Sequence, residues 1–253
     1  MLFTVLSNQP IAPAVWHMRL TGDTRAITRP GQFVQIAVPG FYLRRPISVC
    51  DWRPDERGTL DLIYKTVGHG TEAMGELEEG AELDLLTGLG NGYDVNERDE
   101  VTASQFPLLV GGGVGVPPLY ALCKKLLAAC KKPSVILGFN TGSEVFWKRE
   151  FEELGVPVTV TTADGSVGVE GFVTDAMRQA HGRYDYAYTC GPEPMLKAVY
   201  NLCDANRIPG QFSFEEHMAC GFGVCMGCSC KTKYGAKRIC KDGPVLFKEE
   251  IVW

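Results

Sequence analysis

The chain has 253 residues, 45% hydrophobic and 22% charged, which is ordinary globular usage and enough length for two compact domains plus a small appendage. Its net charge of −5, with 25 Lys and Arg scattered instead of forming a stripe, excludes a nucleic-acid footprint. No apolar run approaches the ~18 residues a bilayer span requires, and no basic segment followed by an apolar one opens the chain, so the expectation is a cytoplasmic protein with no membrane partner.

The first hundred residues alternate short β-rich runs with turn signals. Strands are expected at residues 33–38 after Pro30-Gly31, at 46–50 after a basic pair and at 60–66 after Arg57-Gly58. Spacing of this kind points to an antiparallel barrel. Residues 75–86 read as a turn of helix, an acidic loop and a strand, and the glycine-rich 88–92 must turn sharply or lie close to something. The polar stretch 96–105 breaks the pattern.

Beyond it the texture changes to alternating strands and helices, the outline of a doubly wound parallel sheet. Strands are expected at 106–110, 134–139, 156–162 and 184–189, and helices at 119–129, 147–154 and 193–205. Residues 211–253 are short, cysteine-rich and poor in leucine; a module of ~40 residues normally needs a staple such as a metal. The expected domains are therefore 1–98, 106–210 and 211–253.

Five of the ten cysteines fall between Cys220 and Cys240. A cluster of thiols in a reducing compartment points to metal instead of disulfides. Cys220, Cys225 and Cys228 stand as C-x4-C-x2-C, with Cys240 further on, the spacing of a plant-type [2Fe–2S] site. Glycines 221, 223 and 227 let the backbone curl around an anionic core and turn N–H groups toward its sulfurs. A structural zinc prefers paired C-x2-C knuckles and fits this gap less well. Cys230 is a surplus thiol, expected as a buried neighbour of the group, and the isolated cysteines read as small buried hydrophobes.

Arg44-Arg45-Pro46-Ile47-Ser48 resembles the R-P-x-S flavin motif of the ferredoxin reductase superfamily. An arginine can pair with a pyrophosphate, the proline fixes the backbone and the serine hydroxyl can bond near the isoalloxazine. Where that superfamily places its other flavin contacts stand Ile63-Tyr64-Lys65, an aromatic for stacking and a cation for phosphate, and Gly70-Thr71 at a helix start. Taken alone, Tyr64 suits a core aromatic equally well.

Two strand-to-helix turns carry the nicotinamide expectation: Gly111-Gly112-Gly113-Val114-Gly115, and Cys190-Gly191-Pro192-Glu193-Pro194-Met195, which resembles the C-G-P-x-x-M signature of the same superfamily. Both fall at strand C-termini, where open α/β sheets bind ligands. Glu144 would repel a 2′-phosphate, which favours NAD, although Lys148 and Arg149 lie nearby.

The order of barrel, nicotinamide domain and cluster module covers nearly the whole chain. Residues 215–225 (EEHMACGFGVC) and 239–245 (ICKDGPV) resemble segments of the electron-transfer subunits of B-type dihydroorotate dehydrogenase. The resemblance implies FAD and a [2Fe–2S] cluster held by Cys220, Cys225, Cys228 and Cys240, NAD as substrate, and an FMN-containing dihydroorotate dehydrogenase catalytic subunit as partner in a heterotetramer of two copies of each. It also implies a flow of electrons from partner FMN through the cluster and FAD to NAD⁺ in pyrimidine biosynthesis. Other ferredoxin-type flavin reductases share the architecture, but their cluster loop usually includes an aspartate ligand, absent here. A redox-sensing module would have no need of the two nucleotide segments.

Overall fold

A computed structural model describes residues 1–180 and 182–253. Six strands, β1 (Leu2–Ala12), β2 (Val15–Gly22), β3 (Phe33–Ala37), β4 (Arg45–Trp52), β5 (Gly58–Lys65) and β6 (Glu82–Leu89), close into an antiparallel barrel in the order β1-β2-β5-β4-β3-β6. Alternation drives the closure: Phe3 and Val5, Met18 and Leu20, Val34 and Ile36, and Leu60, Leu62 and Tyr64 all point inward. The sequence expectation missed β1 and β2, whose polar and apolar residues mix too freely along the strand. A short helix, α1 (His69–Gly75), follows β5.

The polar connection is ordered by one carboxylate. Asp94 accepts hydrogen bonds from the backbone N–H groups of Asn96 (2.9 Å) and Glu97 (2.7 Å), while its own backbone exchanges two bonds with the side chain of Gln211. The stretch expected to be irregular contains a five-residue helix, α2 (Asp99–Ala103).

There follow β7 (Pro107–Gly112), α3 (Pro117–Ala128), β8 (Ser134–Phe139), α4 (Lys148–Glu153), β9 (Val158–Thr162), β10 (Val169–Glu170), α5 (Val173–Gln179), β11 (Tyr186–Cys190), α6 (Glu193–Ala205) and β12 (Gly210–Ser213). The last strands are the hairpin β13 (Ser229–Thr232) and β14 (Gly235–Arg238), and β15 (Val245–Phe247). A seven-stranded sheet runs β10-β9-β8-β7-β11-β12-β15, parallel except for β15 against β12.

Dividing the chain at residue 211 therefore cuts through β12. The cysteine-rich segment leaves the sheet after Ser213 and returns at Val245, which pairs with Ser213. Its apolar side, including Ile239, Cys228 and Cys240, packs with Phe33 of the barrel and Phe212 and Leu246 of the sheet. The signal missed was the β-prone QFS and VLF at the two ends of a run whose composition is otherwise that of a loop.

Candidate functional site

Register decides which residues of the arginine segment face outward. Pro46 pairs with Gln35 and Ser48 with Phe33 across β3–β4. Because Val49 fills the barrel and Ile47 packs against that core, Pro46 and Ser48 occupy the outer face. The two arginines divide. Arg44 is held by Asp84, donating to its backbone carbonyl (2.8 Å) and pairing with its carboxylate. Arg45 instead lies over the Phe41 ring (5.0 Å to the centroid), donates to the Leu43 carbonyl, and makes no ion pair with a carboxylate among the described residues.

The Arg45 guanidinium fills the space a side chain on Gly70 would take. Thr71 beside it uses its hydroxyl to accept from the backbone N–H of Val67 (2.9 Å) and to donate to the Gly68 carbonyl (2.9 Å), fixing the turn that opens α1. A bare backbone next to an arginine without a carboxylate partner fits the diphosphate of a flavin dinucleotide.

On β5 the same two-residue period corrects one expectation. Ile63 packs outward against the core shared with the nucleotide domain and Lys65 lines the interdomain cavity, but Tyr64 points into the barrel. The residue is 2% exposed, its hydroxyl donates to Asn8 Oδ1 (3.0 Å), and burial pushes its pKa up to about 12. The Tyr64 ring is therefore not available to stack on a ligand.

A cavity of about 690 Å³ opens between the barrel and the sheet, within the range of small-molecule sites. Lys65 and Val15 form its barrel wall; Gly112, Gly113, Gly115, Gly191 and Pro192 form the opposite wall. The two glycine-rich strand-to-helix turns touch, since a side chain on Gly115 would strike the Cys190 carbonyl. Gly111 and Cys190 lie behind the lining; the Cys190 thiol is buried, which raises its pKa to about 12. Glu144 lines the cavity and accepts from the Asn140 N–H (3.1 Å), whereas Lys148 and Arg149 pair with Glu152 and Glu153 on α4.

Glu215 also lines this cavity, a residue quoted in the sequence only as part of a longer motif. Its carboxylate is reached from the open cleft, yet surrounding protein desolvates it and raises its pKa.

In the cysteine loop, backbone N–H groups join Cys225 to the sulfur of Cys220 and Cys240 to the sulfur of Cys228. Cys220 Sγ accepts from the backbone N–H groups of Val224 (3.4 Å) and Cys225 (3.5 Å), and the N–H donors, that of Cys225 foremost, bring its pKa down to about 6. Cys228 Sγ accepts from the Cys240 N–H (3.4 Å), and burial raises the Cys240 thiol. Among the described residues no three His, Cys, Asp or Glu side chains converge as a single-ion site. Four cysteines joined two by two through backbone donors to sulfur suit a two-iron group that takes two thiolates at each iron.

Arg238 braces this loop, donating to the Gly223 carbonyl (2.8 Å) and pairing with Asp242 (2.9 Å). Sequence reasoning overlooked it, since a lone arginine in a hairpin carries no motif. Cys230 is half-buried on β13. No cysteine among the described residues is in a disulfide.

Known families match the same segments. Residues 215–252 match the iron-sulfur cluster binding domain of dihydroorotate dehydrogenase B, and residues 109–201 match the oxidoreductase NAD-binding domain. The chain is 41% identical to the dihydroorotate dehydrogenase B (NAD(+)) electron transfer subunit of Fusobacterium nucleatum, over 98% of this chain and 96% of the relative. The chain belongs to the family of dihydroorotate dehydrogenase B electron transfer subunits.

The family member from Caldanaerobacter subterraneus is 39% identical over 98% of this chain and 97% of its own. Among solved structures, a chain of the NADH-dependent reduced ferredoxin-NADP oxidoreductase superposes with TM-score 0.89 at 31% identity, covering 100% of this electron transfer subunit homologue and 90% of that chain. The Amycolatopsis cytochrome P450 reductase GcoB shares the fold, with TM-score 0.70 at 24% identity over 82% of this chain and 67% of that one. No helix among the described residues is long and apolar enough to cross a membrane.

Proposed function

We propose that this chain is the NAD⁺-reducing, electron-transferring half of a dihydroorotate dehydrogenase, working in the cytoplasm with an FMN-containing catalytic subunit, two copies of each. The carrying observation is that β3, β4 and β5 of the barrel reach all three candidate sites: Arg45 at the start of β4 beside Gly70, Lys65 on the outer face in the cavity opposite Gly191, and Gln35 on the outer face against the cysteine loop at Gly221. When bound, FAD exchanges a hydride with a nicotinamide and single electrons with a [2Fe–2S] group, so the two belong on one surface.

The protein's own part is placement. Arg45, Gly70 and Thr71 would hold the flavin diphosphate, with Pro46 and Ser48 along the outer face of its strand. The backbone from Gly112 to Gly115, and Gly191 with Pro192, would admit a dinucleotide close to the sheet edge. Val15, Phe139 and Phe146 supply an apolar lining that excludes water. Glu144 in the cavity favours NAD over NADP, because a 2′-phosphate would meet a carboxylate.

The partner surface is best sought at the cysteine loop. Phe222, Val224 and Met226 are 53%, 74% and 53% exposed there, an apolar patch beside the one-electron site. The ten cysteines, none of them in a disulfide among the described residues, suit the cytoplasm.

The test is reconstitution. The purified chain alone should reduce artificial dyes with NADH and leave dihydroorotate unchanged; adding the FMN-containing subunit should confer dihydroorotate:NAD⁺ activity. Conversion of dihydroorotate by the isolated chain would overturn the assignment.

A further inference from the structure

Three glutamines are buried among the described residues, and two of them are fully engaged. Gln32 accepts from the backbone N–H groups of Thr28 and Arg29 and donates to the carbonyls of Gly88 and Gly90. Gln211 bonds both ways with the backbone of Asp94 and donates to the Tyr186 hydroxyl. Gln35 differs. It has no exposed surface, and neither Oε1 nor Nε2 has a hydrogen-bond partner.

Its position gives this a direction. Val34 and Ile36 point into the barrel, so Gln35 shares the outer face with Phe33, which packs among Cys228, Ile239 and Cys240. Across the ladder, Gln35 stands opposite Pro46 of the arginine segment. Its amide fills the space a side chain on Gly221 would occupy, and Gly221 follows Cys220 in the loop, with φ of +77°. Only a glycine both adopts that backbone and leaves room for the amide. A buried amide is retained where it has something to bond, and the chemistry next to it is that of electron-rich sulfur.

We propose that Gln35 sets the reduction potential of the [2Fe–2S] group, its side-chain amide donating a hydrogen bond to the sulfur at the Cys220 end of the loop. The inference rests on the reading that this loop carries such a group. A donor to cluster sulfur stabilises the reduced form, which carries one more negative charge, and so raises the potential. The residue comes from the barrel, so the one-electron site is tuned by the domain that also presents the flavin segment.

The experiment is an EPR-monitored redox titration of the intact chain with its cofactors, comparing the native protein with Gln35→Leu and Gln35→Met. Iron, sulfide and FAD contents should be unchanged. The cluster midpoint should fall by about tenfold in the reduction equilibrium, about 59 mV for one electron, while the flavin midpoint stays put. An unchanged cluster midpoint in a variant that keeps its iron overturns the proposal. Should both variants lose the cluster, pulsed EPR on the native chain labelled with ¹⁵N in the glutamine side chains decides: a weakly coupled side-chain nitrogen at the reduced cluster supports it and its absence overturns it. A native chain without iron and acid-labile sulfide would instead refute the cluster reading itself, and the proposal with it.

Discussion

The guanidinium of Arg45 rests where a Gly70 side chain would be, so the start of β4 and the turn into α1 form one surface although they are separated by the whole of β5. Gly70→Ala should push the guanidinium aside and weaken FAD retention by about tenfold, equal to about 1.4 kcal/mol. Arg45→Ala should do the same by removing the cation. Flavin per chain after gel filtration checks both, and full occupancy in Gly70→Ala with native far-UV circular dichroism would refute the shared surface.

Cys225→Ser should abolish the cluster and electron exchange with the catalytic partner. NADH should still reduce bound FAD, because Arg45 and the cavity lie on other segments. Anaerobic titration with NADH gives the answer; a flavin that stays bound but no longer bleaches would contradict it.

A side chain on Gly115 meets the Cys190 backbone, which cannot yield as a flexible side chain would. Gly115→Ala should therefore raise the KM for NADH about tenfold or more with dye as acceptor, at unchanged FAD and iron content. A KM that does not move would show that the two segments are not the nicotinamide site.

The buried thiols of Cys123, Cys190 and Cys203 and the phenols of Tyr64 and Tyr184 are all raised to about 12 by burial. In the unfolded chain these groups ionise near about 8.5 and 10. Above those values the unfolded state holds fewer protons than the folded one, so the stability they contribute is complete below about pH 8.5 and is lost as pH rises toward 12. Thermal melts should show Tm falling steadily from pH 8.5 to 10.5, and Cys203→Ala should flatten that slope. A Tm independent of alkaline pH would contradict the assignment.

Tyr64→Phe should leave NADH reduction of FAD at the native rate, since the ring lies inside the barrel, and cost about 0.5–1.5 kcal/mol through the lost bond to Asn8. Denaturant melts and stopped-flow flavin bleaching measure the two effects separately. A large loss of flavin binding would restore the ring to the ligand.

What could be read from the sequence follows from how local each signal is. C-x4-C-x2-C places three thiols within nine residues, and turn glycines stand next to the strands that aim them, so these segments announce themselves. Tyr64 could not be placed because its role depends on strand parity, which one shift of register inverts. β12 and β15 are only four and three residues long and are defined by each other across the cysteine segment. Gln35 carries no motif at all: what distinguishes it is contact with Gly221, distant in the chain.

The pairing of Ser213 with Val245 means that the iron-binding segment is an excursion with both feet on one rung of a ladder, not a tail. Its ends are as close together as a hairpin's, which is the circumstance in which insertions are exchanged without disturbing their host. The segment between them is therefore a loop anchored at both ends, and a different cluster loop spliced in at these two residues would have to keep Glu215 at the cavity and the packing of Cys228, Ile239 and Cys240 on Phe33.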